Sequence, residues 1–283
     1  MQTKPGFDPN QLVRAAVAGD RDALDRLLGY LRDDVYRLAL RTLGHPADAE
    51  DAAQEALIQI LTALATFRGE ASVRTWAFRI AIRHYMRFRK GRYEMLVENF
   101  ASIDQVIDAH TQVPPLALSA TETAVYAEEV KWTCLSAILL ALSRDERMAY
   151  TLTEVFGLSG AEAADVLEVD GATFRKRLQR ARDALTAYMT KTCGLVNEEA
   201  ACRCTRQVPV HIHFDFVGPE KLNFSRHAAC HPAKQIDSAR LMALVETERV
   251  AEVFRSHAEY AAPPGLTDRM RAFIAQGGLR SLD

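Results

Sequence analysis

Leu24, Leu27, Leu28, Leu31, Val35 and Leu38 recur at the three- and four-residue steps of one helix face, which predicts a long helix from Asp20 to about Leu43. Before it, Asp8 or Asn10 starts a helix through Leu12, Val13 and Val17, and Gly19-Asp20 ends it. Gly44-His45-Pro46 then turns the chain. Pro46 sits where a first helical turn tolerates a missing N–H, and Asp48, Glu50 and Asp51 place carboxylates at the positive end of the next helix. Leu57, Ile60, Leu61 and Leu64 form its buried stripe, and beyond Gly69 the hydroxyl of Ser72 can cap another helix. From about Gly91 to Leu118 the periodicity fades and Pro114-Pro115 appears, the signature of a linker with a short helix near Tyr93 to Phe100. Ser143, with Glu146 three residues on, forms a capping box for a helix that ends at Gly157-Leu158-Ser159. A short helix with Ala163, Ala164, Val166 and Leu167 leads into a turn from Glu168 to Gly171, and a further helix begins near Ala172. Further on, VPVHIHFDFV from Val208 to Val217 alternates with period two and reads as a strand with His211 and His213 on one face. A helix from about Ser238 to Tyr260, the turn Pro263-Pro264-Gly265 and a short helix through Met270 and Phe273 complete the pattern. The fold class is mainly α: two helical domains joined by a linker, with a small α+β C-terminal extension. The boundaries fall at residues 8–92, 93–124, 125–190 and 191–283.

Composition adds two facts. A chain of 283 residues with 48% hydrophobic content can bury about two domain cores. The formal net charge of −2 hides segregation, because between residues 68 and 92 eight basic residues (Arg68, Arg74, Arg79, Arg83, Arg87, Arg89, Lys90, Arg92) face Glu70 alone. Trp76, Phe78, Tyr85 and Phe88 are interleaved with them. Arginine with exposed aromatics tracks a phosphate backbone and stacks on unpaired bases. The same spacing suits a core helix whose basic face is merely solvated. The helix from Ala172 carries Arg175, Lys176, Arg177, Arg180 and Arg182, and with the short helix before it makes a helix-turn-helix whose second helix could enter a major groove. Val155, Leu158, Ala163, Val166, Leu167, Phe174 and Leu178 should hold those helices together. No apolar run approaches the ~18 residues needed to cross a bilayer and no signal peptide is seen, so a cytoplasmic location without membrane insertion is expected.

The DAEDAAQEA run, the FRGEASVRTW turn and the RIAIRHYMR helix together resemble region 2 of extracytoplasmic-function (ECF) sigma factors of the sigma-70 family, and LSRDERMAY through TFRKRLQRARDALTAY is similar to region 4. The resemblance spans about residues 10 to 190. It implies a promoter-specificity subunit that borrows its catalysis, with core RNA polymerase and promoter DNA as partners and an anti-sigma factor as a further one. By match to the family pattern, Asp48, Asp51, Gln54 and Glu55 would face polymerase. Phe67, Arg68, Ser72, Arg74, Trp76, Arg79 and Arg83 would lie along the opened −10 strand, and Ala172, Thr173, Arg175, Lys176, Arg177 and Arg180 would read the −35 duplex. A helix-turn-helix regulator that binds operator DNA without docking on polymerase is the alternative, but it has no use for a clamp-docking helix followed by a melting turn. A metal-dependent enzyme finds no nucleophile-base arrangement, phosphate-binding glycine loop or paired carboxylates in the chain.

The extension opens with Cys193, Cys202 and Cys204, and His227, Cys230 and His231 follow. Thiolate and neutral imidazole are donors for zinc and, for thiolates, Cu(I), so these six are the candidate metal ligands, zinc or copper the candidate cofactors, and redox control an equal expectation. Small buried hydrophobes are the plainer reading of the same cysteines. Cys134, beside Trp132 on an apolar face, is expected in the core. From His227 to Ile274 the chain also resembles the tail of zinc-binding anti-sigma proteins, with Lys234 where a second cysteine is expected. Residues 191–283 are thus expected to regulate promoter binding in cis through metal or redox state.

Overall fold

A computed structural model describes residues 8–224, 229–231, 238–256 and 259–275. Helices α1 (Pro9–Val17), α2 (Arg21–Leu43), α3 (Pro46–Thr62) and α4 (Val73–Arg87) form the first domain. Each start has a chemical reason. The Asp8 carboxylate accepts from the Asn10 N–H, Asp20 accepts from Asp22 and Ala23, and Ser72 accepts from Thr75. Gly44 ends α2 at φ +74°, and a Cβ there would stand 2.6 Å from Cδ1 of Leu140, so glycine is required twice over. Leu27, Leu31, Val35 and Leu38 of α2 pack with Leu57 and Ile60 of α3 and Phe78 of α4 in one core. The buried Tyr85 hydroxyl donates to the Val35 carbonyl at 2.9 Å.

The expected linker is more structured than its pattern suggests. It holds α5 (Arg92–Leu96), near the short helix anticipated there, and α6 (Phe100–Asp108), started by an Asn99/Ser102 capping box. Glu94 of α5 is buried between two arginines of the second domain. Arg144 donates to both its oxygens, at 2.9 and 2.5 Å, and to the carbonyls of Tyr85, Met86 and Phe88 at the end of α4. Arg147 donates to Glu94 at 3.1 Å and to the carbonyls of Leu139, Leu140 and Leu142 at 2.9–3.0 Å. Two guanidiniums therefore satisfy the carbonyl ends of two helices around one carboxylate.

The second domain comprises α7 (Ala120–Leu140), α8 (Arg144–Tyr150), a π-helical turn at Thr151–Val155, α9 (Gly160–Val166) and α10 (Gly171–Thr192). The capping box expected at Ser143 is half formed. Its hydroxyl accepts from the Glu146 N–H, but Glu146 bonds that hydroxyl instead of the Ser143 backbone. Complete boxes stand at Ser119/Glu122 and Ser159/Glu162.

The extension contains α11 (Cys204–His213), β1 (Ala229–His231), α12 (Ser238–Met242), α13 (Glu246–Arg255), β2 (Glu259–Tyr260) and α14 (Pro264–Ala275). Two expectations are corrected here. The alternating stretch VPVHIHFDFV is helical through His213, because Val208 and Val210 bury in a helix laid along α7, with Val130 and Val217 closing a small apolar cluster around Val208. The helix expected from Ser238 to Tyr260 is interrupted after Met242. Arg249 takes the carbonyls of Met242 and Leu244, each at 3.0 Å, and that of Val196 at 2.9 Å, which stabilises the break and ties it to the segment that follows α10. The described strands are limited to the antiparallel pair β1–β2.

Candidate polymerase and nucleic-acid interfaces

The expected polymerase face lies on α3. Asp51 and Glu55 are exposed on it, and Gln54 is half-buried beside them. Glu55 approaches Nε2 of His84 at 3.5 Å, and burial holds that imidazole below its ordinary pKa. Asp48 points elsewhere: a Cβ at Gly91 would collide with its carboxylate, so it sits against the start of α5 and lines a cavity with Tyr93 and Phe216.

On α4 the candidate strand-binding residues divide by environment. Phe67 and Trp76 meet edge to face, centroids 5.4 Å apart, and both are half-buried, so the pair offers a partly open aromatic surface. Phe78 and Tyr85 are fully buried, which removes them from any stacking surface. Arg68 is exposed, whereas Ser72 spends its oxygen on the cap of α4. Arg74 donates to Asp34 at 2.6 Å and lies 4.9 Å over the Phe78 ring. Arg79 is ion-paired with Asp165, and Arg83 with both oxygens of Glu168. Those carboxylates belong to the helix-turn-helix, Asp165 on α9 and Glu168 in the turn after it at φ +54°. The Arg83 hydrogen bonds lower the Glu168 pKa and raise that of Arg83. Two arginines expected on DNA are therefore neutralised by the second domain in this conformation.

The helix-turn-helix forms as expected. Asp170 caps α10 by accepting from the Ala172 and Thr173 N–H groups, each at 2.9 Å, and from the Thr173 hydroxyl at 2.6 Å. These bonds, the Thr173 hydroxyl foremost, keep its carboxyl below the usual range. Leu158, Ala163, Val166, Phe174 and Leu178 bury between the two helices, with Val155 and Leu167 packed at the edge. That leaves Ala172, Arg175, Lys176 and Arg180 exposed along one side of α10. Arg177 is half-buried, 2.7 Å from Asp145.

Residues 27–93 match the family Sigma-70 region 2, and residues 132–185 match Sigma-70, region 4. The ECF RNA polymerase sigma-E factor of Escherichia coli K12 is 31% identical over 183 residues, covering 62% of this chain and 90% of that protein. The chain belongs to the ECF sigma factors. The RNA polymerase sigma-H factor of Pseudomonas aeruginosa is 30% identical over 175 residues, with the same coverage of each chain. SigW of Bacillus subtilis is 28% identical over 174 residues, covering 61% of this chain and 92% of its own. The region 2 and region 4 domains imply that this sigma factor binds core RNA polymerase and promoter DNA. Among the described residues no helix is long and apolar enough to cross a membrane.

In the sigma factor's extension, the backbones of Cys193 and Cys202 pair in an isolated parallel β-bridge with both thiols free, and Gly194 N–H donates to the Cys202 carbonyl at 3.2 Å. Cys134 is close enough to Cys193, Cys202 and Cys204 for each to raise its pKa, after the larger effect of burial. Burial likewise pushes the Cys202 thiol up to about 11 and that of Cys204 to about 12, so both are protonated at neutral pH. Cys134, expected in the core, packs against it and lies near the thiols of the extension. No three His, Cys, Asp or Glu side chains among the described residues stand where they could hold a metal ion. His227 lies outside the described residues, and Cys230 and His231 are described only as backbone of β1. His211 is buried with Nδ1 2.9 Å from the Gln207 carbonyl, a packed helical residue. The Glu94–Arg144–Arg147 network escaped the sequence because Arg144 and Arg147 stand in the charged run SRDER, where acidic neighbours offer local partners and nothing marks the distant Glu94.

Proposed function

We propose that this sigma factor engages polymerase through Asp51, Gln54 and Glu55 of α3, lays Arg68, Trp76, Arg79 and Arg83 of α4 along the opened −10 strand, and reads the −35 duplex with Ala172, Arg175, Lys176, Arg177 and Arg180 of α10. The observation carrying this reading is the adjacency of an exposed acidic helix, a basic helix with a partly open aromatic pair, and a helix-turn-helix with exposed basic residues along its second helix. Opening the duplex needs no covalent step. A base leaving the stack costs about a few kcal/mol, which aromatic and arginine faces offset. The site of action is the cytoplasm, where polymerase meets DNA, and an anti-sigma factor is a further partner of the same surfaces. Run-off transcription with purified core polymerase and genomic promoter fragments tests the whole reading: promoter-dependent transcripts should appear only when this chain is added. The absence of any such transcript under reducing, metal-replete conditions would sink it.

For the extension, the proximity of Cys134 to Cys193, Cys202 and Cys204 supports control by thiol oxidation, whereas zinc or Cu(I) would need these side chains to rearrange, since no three of them stand where they could hold an ion. Metal content and transcription of the parent and a Cys202→Ser/Cys204→Ser variant, with and without oxidant, separate the two. Equal behaviour of parent and variant in every arm removes the thiols from regulation.

A further inference from the structure

One guanidinium of the extension reaches the helix assigned to polymerase. Arg269 of α14 is ion-paired with Glu50, and its Nε donates to Oε1 of Gln54 at 2.6 Å. Glu50 and Gln54 stand one turn apart on the same side of α3, so a single planar fork spans both acceptors. The helix that carries Arg269 is firmly seated. Arg271 makes a two-pronged pair with Asp25 at 2.8 and 2.9 Å, Arg32 donates to the Thr267 hydroxyl at 2.6 Å, and the Ala262 N–H donates to Asp33 at 3.0 Å. Leu266 and Met270 of α14 are fully buried in the core shared with α2. At its other end the extension holds the second domain. Arg255 of α13 donates to the Glu154 carbonyl at 3.3 Å, and the Glu154 carboxylate also accepts from Arg182 of α10 at 2.8 Å.

We propose that α14 is a built-in plug on the polymerase-docking face of α3, which core polymerase must displace before the sigma factor can load. The proposal rests on the reading of α3 as the docking helix. A polymerase element that recognises Asp51 and Glu55 must present cationic groups to carboxylates, and Arg269 already supplies one to the adjoining Glu50 and Gln54. The plug covers one edge of the face. Asp51 and Glu55 stay exposed on the other. An incoming partner therefore gains a first hold on them and then competes for Glu50 and Gln54. The grip on Glu50 and Gln54 is reversible because the Arg269 and Arg271 side chains are 43% and 55% exposed and water can replace their bonds. The buried Leu266 and Met270 hold α14 in place until those bonds are lost.

Titration of full-length protein with core RNA polymerase, comparing the parent with an Arg269→Ala/Arg271→Ala variant, tests this. Each exposed pair shifts an equilibrium by up to roughly fivefold, so the variant should bind core polymerase roughly five- to tenfold more tightly. Arg269→Gln alone serves if the double variant melts early, and should show the same direction. Equal or weaker binding by a folded variant overturns the plug while leaving the docking helix intact. If neither parent nor variant binds core polymerase at all, the docking reading falls first and the plug with it. Hydrogen exchange gives an independent readout: amides of α14 should lose protection when core polymerase is added to the parent, and unchanged protection overturns the proposal.

Discussion

Arg147 has a side chain only 2% exposed, and its charge survives there because four helix-terminal carbonyls, those of Thr42, Leu139, Leu140 and Leu142, and Glu94 replace the water it lost. Burial lowers its pKa to about 10, still well above neutrality. Arg147→Met should therefore cost about 3–5 kcal/mol, the range for breaking a buried pair, because it leaves Glu94 short of a partner and strands the carbonyls. Denaturant unfolding monitored by circular dichroism measures it. Buried His211 behaves in the opposite sense to a paired histidine. Desolvation, partly opposed by its bond to the Gln207 carbonyl, lowers its pKa to about 4 from 6.5. Between those values the unfolded chain binds a proton that the folded chain refuses. The contribution is thus complete above about pH 6.5 and is lost as pH falls toward 4, about 3 kcal/mol in all. A His211→Gln variant should lose less stability than the parent between pH 7 and pH 4.5, a difference that thermal melts at the two pH values detect.

At the scale of elements, most helices could be read from the chain because period, cap and breaker agreed. Asp20, Ser72, Ser159 and Gly44 stand at their termini for local reasons, and local reasons are written locally. The stretch from Val208 to Val217 failed this test. Its alternation fits a strand, yet Val208 and Val210 also fit a helix face, and the neighbouring surface of α7 decided between them. The recognition helix α10 illustrates what a legible element leaves open. Arg175→Ala, at an exposed position, should weaken −35 duplex binding by about 1–3 kcal/mol if its guanidinium meets a base edge, as measured by fluorescence anisotropy on matched and mutated duplexes. Arg177→Ala should cost less than that in net affinity, because Arg177 must first leave Asp145.

The whole molecule is closed. Elements centred about 25 base pairs apart are on the order of 85 Å distant along a duplex at 3.4 Å per step. A compact chain of 283 residues has a radius of gyration of about 19 Å, so both DNA-binding surfaces cannot engage their elements in this form. Loading onto a promoter must separate α4 from α9, and the contacts there are suited to it. Arg79–Asp165 and Arg83–Glu168 are exposed pairs, worth about 0–1 kcal/mol each. An Asp165→Asn/Glu168→Gln variant should open more readily, with a larger radius of gyration by small-angle scattering and tighter binding to single-stranded −10 DNA. An unchanged radius and affinity would show that the apolar packing and α13–α14 hold the closed form without these pairs.

The chain by itself determined the helices of residues 9–87 and 144–192, their order, the helix-turn-helix and the acidic-to-basic succession from α3 to α4, because helix period, capping chemistry and charge segregation act over a few residues. Tertiary structure decided which of those residues are engaged. Gln54 and Glu50 meet Arg269 more than two hundred positions away, Arg79 and Arg83 meet the helix-turn-helix, and Cys134 joins thiols from the extension. Such pairings come from packing several apolar faces against one another at once, and no local pattern along the chain encodes which surface charge that packing brings opposite which.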